Sequence, residues 1–285
     1  MSTDPEHGEP RAAPEADDRP EERPEDGPDA RPEDPFGDQP GDQPGDRPEG
    51  DGGAPAPATP RRGRLRVVAT PIGNLGDLSP RAREAFEGAD LVACEDTRHT
   101  GRLLAGEGID RPLLSLHEHN ERQRVPQVLE ALESGQDVAL ASDAGTPLLS
   151  DPGFVLVRAA AEAGVVVEAI PGPSAILAAL VASALPPYPF TFVGFPPPKG
   201  GKRRKFYRRF ADLDHTLVVF ESPHRLLASL QDALAELGER PAAVARELTK
   251  LHEEVLRGDL SEVRDELAAR DSLKGEFVLV IGKPA

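Results

Sequence analysis

Residues 142–153 read SDAGTPLLSDPG, a run of small, acidic and hydroxyl residues between two apolar segments. DVALA (137–141) leads into it and FVLVRAAAEAG (154–164) leads out. The pattern predicts a strand, a loop and a helix. Gly145 and Gly153 let the backbone turn tightly or admit a ligand. Asp151-Pro152 predicts an N-cap followed by proline in the first turn. An ordinary strand-to-helix connection takes about 2–6 residues. This one is longer and richer in Asp, Gly and Thr, so it predicts a ligand-holding loop beyond a strand's carboxyl end. Three further loops occupy the same kind of position: TPIGNLGD (70–77), EDTR (95–98) and PGPSA (171–175). Together they predict one edge of a cleft.

Acid–base chemistry in such a cleft needs a titratable group at a strand end. Glu95, Asp96, His117, Glu221 and Lys250 occupy that position and are the candidate catalytic residues. Glu95 and Asp96 are adjacent carboxylates behind a buried strand, and Arg98 is available to pair with one of them or with a phosphate. The other reading of EDTR is a helix start capped by Asp96. HEH (117–119) places two histidines on an extended segment, pointing the same way. The spacing is not the i, i+4 pair of helical zinc sites, and no metal site is expected. A polar cluster near the substrate is the preferred reading.

Lys199 to Arg209 holds seven basic residues, no acid, and the aromatics Phe206 and Tyr207. Cations in such density match a phosphate backbone, and aromatics can stack on splayed bases. Lys199, Lys202, Arg203, Arg204, Lys205 and Arg208, with Arg98, are the candidate RNA contacts. The other reading is a solvated amphipathic helix with its aromatics turned inward. No helical DNA-binding pattern is present, so DNA is not an expected partner.

The elements that must position these residues alternate. Strands at 64–69, 90–94, 112–116, 137–141 and 165–170 are separated by helices beginning at Ser79-Pro80, Thr100 (to Ala105), Asn120 and Asp151. Asn120 and Gln123 resemble a capping pair. ILAALVASAL (176–185) is apolar almost all round and predicts a buried helix. LPPYP (185–189) marks a break. A second α/β unit follows, with strands at 191–194, 216–220, 242–246 and 254–256, a helix start at Ser222-Pro223, and an interior strand at 276–282. The fold class is therefore α/β, with mostly parallel sheet covered on both faces. Its expected divisions are a tail (1–62), an N-terminal α/β domain (63–186) and a C-terminal α/β domain (190–285).

Charge is unevenly distributed over the 285 residues. The net −17 divides into −13 over residues 1–60, with 18 acidic and 5 basic side chains, and −4 over the rest. The acidity thus describes the tail, which carries fourteen prolines and one aromatic, Phe36, and is expected to be disordered. A single cysteine, Cys94, rules out a disulfide framework within the chain. No apolar run reaches the ~18–20 residues of a membrane span. The N-terminus does not read as a secretory signal, and a cytoplasmic location is expected.

The motifs VATPIGNLGDLSPRA, ACEDTRHT, SDAGTPLLSDPG, PGPSA, FVGFPPPK, ESPHR and RELTKLHEE stand in an order that resembles the tetrapyrrole-methylase superfamily. Within it the chain is similar to the bacterial 16S ribosomal RNA 2′-O-ribose cytidine methyltransferases, over residues 64–283. The resemblance implies two α/β domains with S-adenosylmethionine between them, usually as a homodimer. It implies methylation of a cytidine ribose in the small ribosomal subunit. It also implies cofactor contacts at Pro71, Ile72, Gly73 and Asn74, at Asp143, Ala144, Gly145, Thr146 and Pro147, and at Gly172, Pro173, Ser174 and Ala175. One departure is visible. The wider superfamily has a more glycine-rich first loop, whereas TPIGN keeps only Gly73, and no GxGxxG dinucleotide fingerprint occurs. A tetrapyrrole methyltransferase and a non-catalytic RNA-binding module are the alternatives. The basic PPPKGGKRRK segment disfavours the first, and the polar strand-end loops disfavour the second.

Overall fold

The computed structural model describes residues 62–284. The acidic, proline-rich segment lies outside the described residues, and so does the expectation of disorder there.

Five strands form a wholly parallel first sheet: β1 (Arg64–Val68), β2 (Leu91–Cys94), β3 (Leu113–Ser115), β4 (Val138–Ala141) and β5 (Val166–Ile170), in the order β3-β2-β4-β1-β5. The helices α1 (Pro80–Glu87), α2 (Thr97–Gly106), α3 (Glu121–Glu133) and α4 (Phe154–Glu162) connect them. Apolar side chains are buried on both faces of this sheet. Leu65, Leu140 and Leu156 belong to one cluster; Val68, Phe86 and Val92 belong to the other. This two-sided burial is why the strands read as continuous apolar runs. The first helix begins as its sequence demands, with Ser79 Oγ accepting from Ala82 N at 3.1 Å and proline in the first turn.

The second sheet is mixed, in the order β6-β7-β10-β8-β9. It comprises β6 (Phe190–Phe192), β7 (Thr216–Glu221), β8 (Pro241–Arg246), β9 (Glu254–Asp259) and β10 (Phe277–Ile281). The final strand runs antiparallel to both of its neighbours. It is interior, as its unbroken FVLVI sequence predicts. The helices α6 (Gly200–Arg208), α7 (Leu226–Leu237) and α8 (Leu260–Ala268) belong to this half. Helix α5 (Ala175–Ala182) follows β5 in the chain, yet its Ile176, Ala179 and Leu180 pack on Val218, Ala243 and Val280 of the second sheet.

Several local expectations are corrected. The SDAGTPLLSDPG helix starts at Phe154 with Gly153 at its cap, not at Asp151-Pro152. Its free N–H groups are taken from outside. Glu121 Oε1 accepts from Gly153, Val155 and Leu156 N at 3.0, 2.8 and 3.1 Å, so a local cap is not needed. Gly153 has φ +120°, and a Cβ there would lie 2.8 Å from Leu140 Cδ2. Ser222-Pro223 likewise precedes α7, which is capped at Arg225. Helix α2 begins three residues before the expected Thr100, because Asp96 Oδ1 accepts from Arg98 N at 2.8 Å. Asn120 forms no side-chain cap. Its Oδ1 accepts from His117 N at 2.8 Å, while its Nδ2 donates to Ser115 O at 3.1 Å. Helix α5 is not fully buried, since Leu177 and Val181 are 54 % and 80 % exposed.

A candidate methyl-donor cleft and a basic helix

The strands β1 and β4 are neighbours, so the loops after them lie side by side. They are pinned by a two-bond bridge: Thr70 N donates to Gly145 O at 2.9 Å and Gly145 N to Thr70 O at 3.0 Å. Gly145 sits at φ +79°, a conformation that disfavours any side chain. Thr146 Oγ1 donates to Pro173 O at 3.3 Å, which ties in the loop after β5. Asp96 N donates to Asp143 Oδ1 at 3.1 Å, which ties in the loop after β2. Three of the four strand-end loops thus converge on SDAGTP.

Between these loops and the facing edge of the second sheet lies a cleft of about 400 Å³. Its first wall is Ile72, Asp143, Ala144, Gly145, Thr146, Leu149, Ser150, Asp151, Ser174, Ala175 and Ile176. Its second wall is Phe195, Phe220, Glu221, Ser222, Pro223 and Gly275 to Val278. Of the thirteen residues implied as cofactor contacts, Ile72, Asp143, Ala144, Gly145, Thr146, Ser174 and Ala175 line it. Pro71, Gly73, Asn74, Pro147, Gly172 and Pro173 belong to the same loops but lie outside the lining.

The lining is apolar and acidic, with no Lys, Arg or His. Burial raises the pKa of Asp151; a hydrogen bond from Ser142 opposes this, and the charge of Asp143 adds to it. Glu95, just behind the wall, is raised by burial and then by Asp143, Asp151 and Asp96. A cationic ligand relieves this repulsion, and the rings of Phe195, Phe220 and Phe277 supply apolar contact for its remainder.

The structure separates the five acid–base candidates. Only Glu221 lines the cleft. Asp96 caps α2 and pairs with Arg98 at 3.2 Å, and those bonds lower its pKa. Lys250 Nζ is held by Glu247 at 2.9 Å and Glu276 at 3.1 Å. Burial works against its charge, but these two partners outweigh burial and raise its pKa. His117 follows the edge strand β3, three strand spacings or roughly 14 Å from β1. Residues 118–120 form a turn, not the expected extended segment, and the His117 and His119 rings meet edge to face at 6.0 Å. Among the described residues no three His, Cys, Asp or Glu are grouped to hold a metal.

The basic segment forms α6, and its seven cations divide into two sets. Arg203 is 5 % exposed, and its Nε donates to Asp232 Oδ2 at 2.8 Å. Arg204 bonds the other oxygen of Asp232 at 2.9 Å, and Arg208 pairs with Glu236 at 2.7 Å. Arg203 is therefore a buried structural cation, which corrects its reading as an RNA contact. Tyr207 is also buried, and its hydroxyl meets Ser229 Oγ at 2.7 Å. Phe206 packs against the same core, so neither aromatic is free to stack on a base. Lys199, Lys202, Lys205 and Arg209 are exposed and form no ion pair with a described residue. Arg204, Lys205, Arg208 and Arg209 line a shallow surface groove with Gly201. Arg98 is also exposed, at 88 % of its side chain.

Sequence reasoning missed Asp151, read as a cap, and the wall at Gly275 to Val278, read only as a strand. Neither carried a signal in the sequence. Asp151 is released from capping only because Glu121 caps α4, and Gly275-Glu276 reaches the cleft only because β10 lies between β7 and β8.

Known proteins match this architecture. The family described as Tetrapyrrole (Corrin/Porphyrin) Methylases matches residues 64–264. The solved structure of the methyltransferase CobJ superposes with a TM-score of 0.60 at 22 % identity, covering 78 % of this chain and 95 % of that one. That likeness shows the fold. Ribosomal RNA small subunit methyltransferase I of Xylella fastidiosa (strain Temecula1) is 50 % identical over 221 residues, 77 % of this chain and 81 % of that protein. The protein of the same name from Micromonospora olivasterospora is 47 % identical over 241 residues, 82 % of this chain and 77 % of that protein. With the family match running from β1 into α8 and half of the aligned residues identical in such a relative, the chain belongs to the tetrapyrrole methylase family, among the ribosomal RNA small subunit methyltransferase I proteins.

Proposed function

We propose that this chain methylates the 2′-hydroxyl of a cytidine ribose in the 16S RNA of the small ribosomal subunit, using S-adenosylmethionine. The observation that carries the donor assignment is the cleft itself: acidic, apolar-walled and free of lining cations. These residues fit a molecule that joins a sulfonium and an ammonium to an aromatic base. Bound there, S-adenosylmethionine supplies an electrophilic methyl group. The loops at 71–74, 143–147 and 172–175 would hold it, and their cross-bonds fix the cleft's shape before binding, which lowers the ordering cost. Holding the acceptor ribose in line contributes by alignment, for which ~7–11 kcal/mol is available in favourable cases. Asp151 stands in the wall with its proton affinity raised by burial and by Asp143, which suits it to take up the hydroxyl proton.

Lys199, Lys202, Arg204, Lys205, Arg208 and Arg209 on and beside α6, with Arg98, form the proposed phosphate-contacting set. A homodimer belongs to the same reading, with exposed Leu177 and Val181 on α5 as surface for a second copy to cover; sedimentation of the purified chain checks it. A cytoplasmic location accords with the substrate. Among the described residues no helix is long and apolar enough to cross a membrane. The deciding experiment incubates the chain with labelled S-adenosylmethionine and small subunits from cells lacking the modification, then maps the labelled nucleotide. Label on a cytidine ribose is expected. Label on a base, or none, overturns the reading.

A further inference from the structure

Among the described residues the exposed aromatic side chains are Phe154, Tyr188, Phe190 and Phe195. Of these only Phe195 lines the cleft, and 51 % of its surface is open. The chain around it is anchored. Gly194 O accepts from Phe220 N at 3.1 Å, Pro196 is buried, and Pro198 O accepts from Arg203 Nη1 at 3.1 Å. Arg203 is in turn locked to Asp232. The Phe195 ring leans on Phe220 with centroids 5.4 Å apart, and Phe220 meets Phe192 edge to face at 4.9 Å. Ring and backbone are thus held from behind while half the side chain stays open. An apolar ring fixed in that way at a cleft marks a contact surface for a ligand.

Two observations narrow what covers it. The first is place. Gly194, at φ +69°, abuts the other wall, since a Cβ there would lie 3.3 Å from Ser150 Oγ. Phe195 therefore stands beside the segment that ends in Asp151, the residue suited to take the acceptor's proton. Of the three rings in the lining, Phe277 is buried, Phe220 is half-buried and Phe195 is the most exposed. A donor lodged inward and a base at Phe195 can share the lining. The second is continuation. The chain runs from Phe195 through three prolines into Lys199 and the basic helix α6, and four residues reach at most roughly 14 Å. Single-stranded RNA is held by this pair of contacts, cations on its backbone and aromatic faces on its splayed bases. Phe206 and Tyr207, inside the basic segment, are packed on the core and do not serve.

We propose that Phe195 is the platform on which the base of the acceptor nucleotide stacks, so that FVGFPPPK couples the cations of α6 to the cleft. The proposal rests on the chain methylating a ribose of ribosomal RNA at this cleft, as argued above. It adds the residue that positions the acceptor. Stacking reads the face of a ring, so it depends on the aromatic side chain and not on its apolar bulk. Phe195→Tyr keeps the face, whereas Phe195→Leu keeps most of the bulk and loses the face.

The test measures methyl transfer by the full chain to small subunits from cells lacking the modification. Isothermal titration with S-adenosylmethionine and thermal melting accompany it. Phe195→Ala should lower kcat/KM for the subunits about tenfold, with donor affinity and melting temperature unchanged. Phe195→Leu should fall with it, and Phe195→Tyr should keep wild-type transfer. Unchanged transfer by the alanine variant overturns the platform, and so does equal transfer by the tyrosine and leucine variants. A parallel tenfold loss of S-adenosylmethionine affinity also overturns it and assigns Phe195 to the donor. If the alanine variant does not fold, tyrosine against leucine decides. A wild-type chain that leaves cytidine ribose unmethylated sinks the function reading instead, so the two failures are distinct.

Discussion

On the first wall of the cleft, Asp143 and Asp151 stand near Glu95, and none of the three pairs with a cation among the described residues. On α6 and α7, by contrast, Arg203 and Arg204 close on Asp232, and Arg208 closes on Glu236. Both regions draw charge at least partly out of water: Arg203 and Asp232 are buried, and Glu95, Asp143 and Asp151 are half-buried. The helix pair neutralises it internally; the cleft leaves like charges together. A buried, matched pair is a structural device whose halves cannot be removed singly. An unmatched acidic cluster is tolerated where a ligand supplies the missing charge. The difference separates the buried Arg203–Asp232 pair, which holds the fold, from the cleft carboxylates, which wait for a partner, although both are ionic.

The contrast has a pH signature of opposite sign in its parts. Asp151 and Glu95 have raised folded pKa values. Such carboxyls hold protons more tightly when folded, so their contribution is complete below the ordinary carboxylate range and is lost as pH rises through the raised value. On the helix pair Glu236 is lowered by its hydrogen bond from Arg208, and elsewhere Asp96 and Glu247 are lowered in the same way by Arg98 and Lys250. Their contribution is present above the ordinary range and is lost as pH falls through the lowered value.

The largest expected effect comes from breaking the matched side. Asp232→Ala strands Arg203 in the core and should cost about 3–5 kcal/mol by urea unfolding; a loss under ~1 kcal/mol would falsify the structural role. Glu121→Ala comes next. It removes the acceptor of three N–H groups at the start of α4, and a loss of about 2–3 kcal/mol is expected in the same measurement. Lys205→Ala with Arg209→Ala tests the exposed set of cations on and beside α6. Binding to a small-subunit RNA fragment should weaken, and the slope of log K against log salt should fall by about 0.7–0.9 per lost contact, with the melting temperature unchanged. Arg203 is left out of this change, because replacing it would unseat Asp232. The smallest effect sharpens the acidic side. Asp143→Asn should lower the titration midpoints of both Glu95 and Asp151 in carboxyl NMR; static midpoints would show that burial alone sets them.

Short-range chemistry was legible in the residues. The apolar runs of β1, β4 and β10, the Ser79-Pro80 start, and the four strand-end loops all lie where pattern and turn chemistry place them. The failures share a cause. Asp151-Pro152 looks like a cap because a cap is a local motif, yet Glu121, about thirty residues earlier, does the capping. ILAALVASAL looks buried because it has no polar face, but it packs on the second sheet along one side only. Arg203 looks like its exposed neighbours, and only Asp232 at 2.8 Å sets it apart.

The sequence by itself determined the alternation of elements, the loops that turn toward a ligand and, through its ordered motifs, the family. Those features depend on neighbouring residues and on the period of the backbone, so they are written locally. Tertiary structure alone decided which charges are matched, that Arg203 is buried among exposed cations, and which lysines and arginines stay free. Those outcomes depend on side chains brought together from distant parts of the chain, and no local pattern encodes which partner arrives.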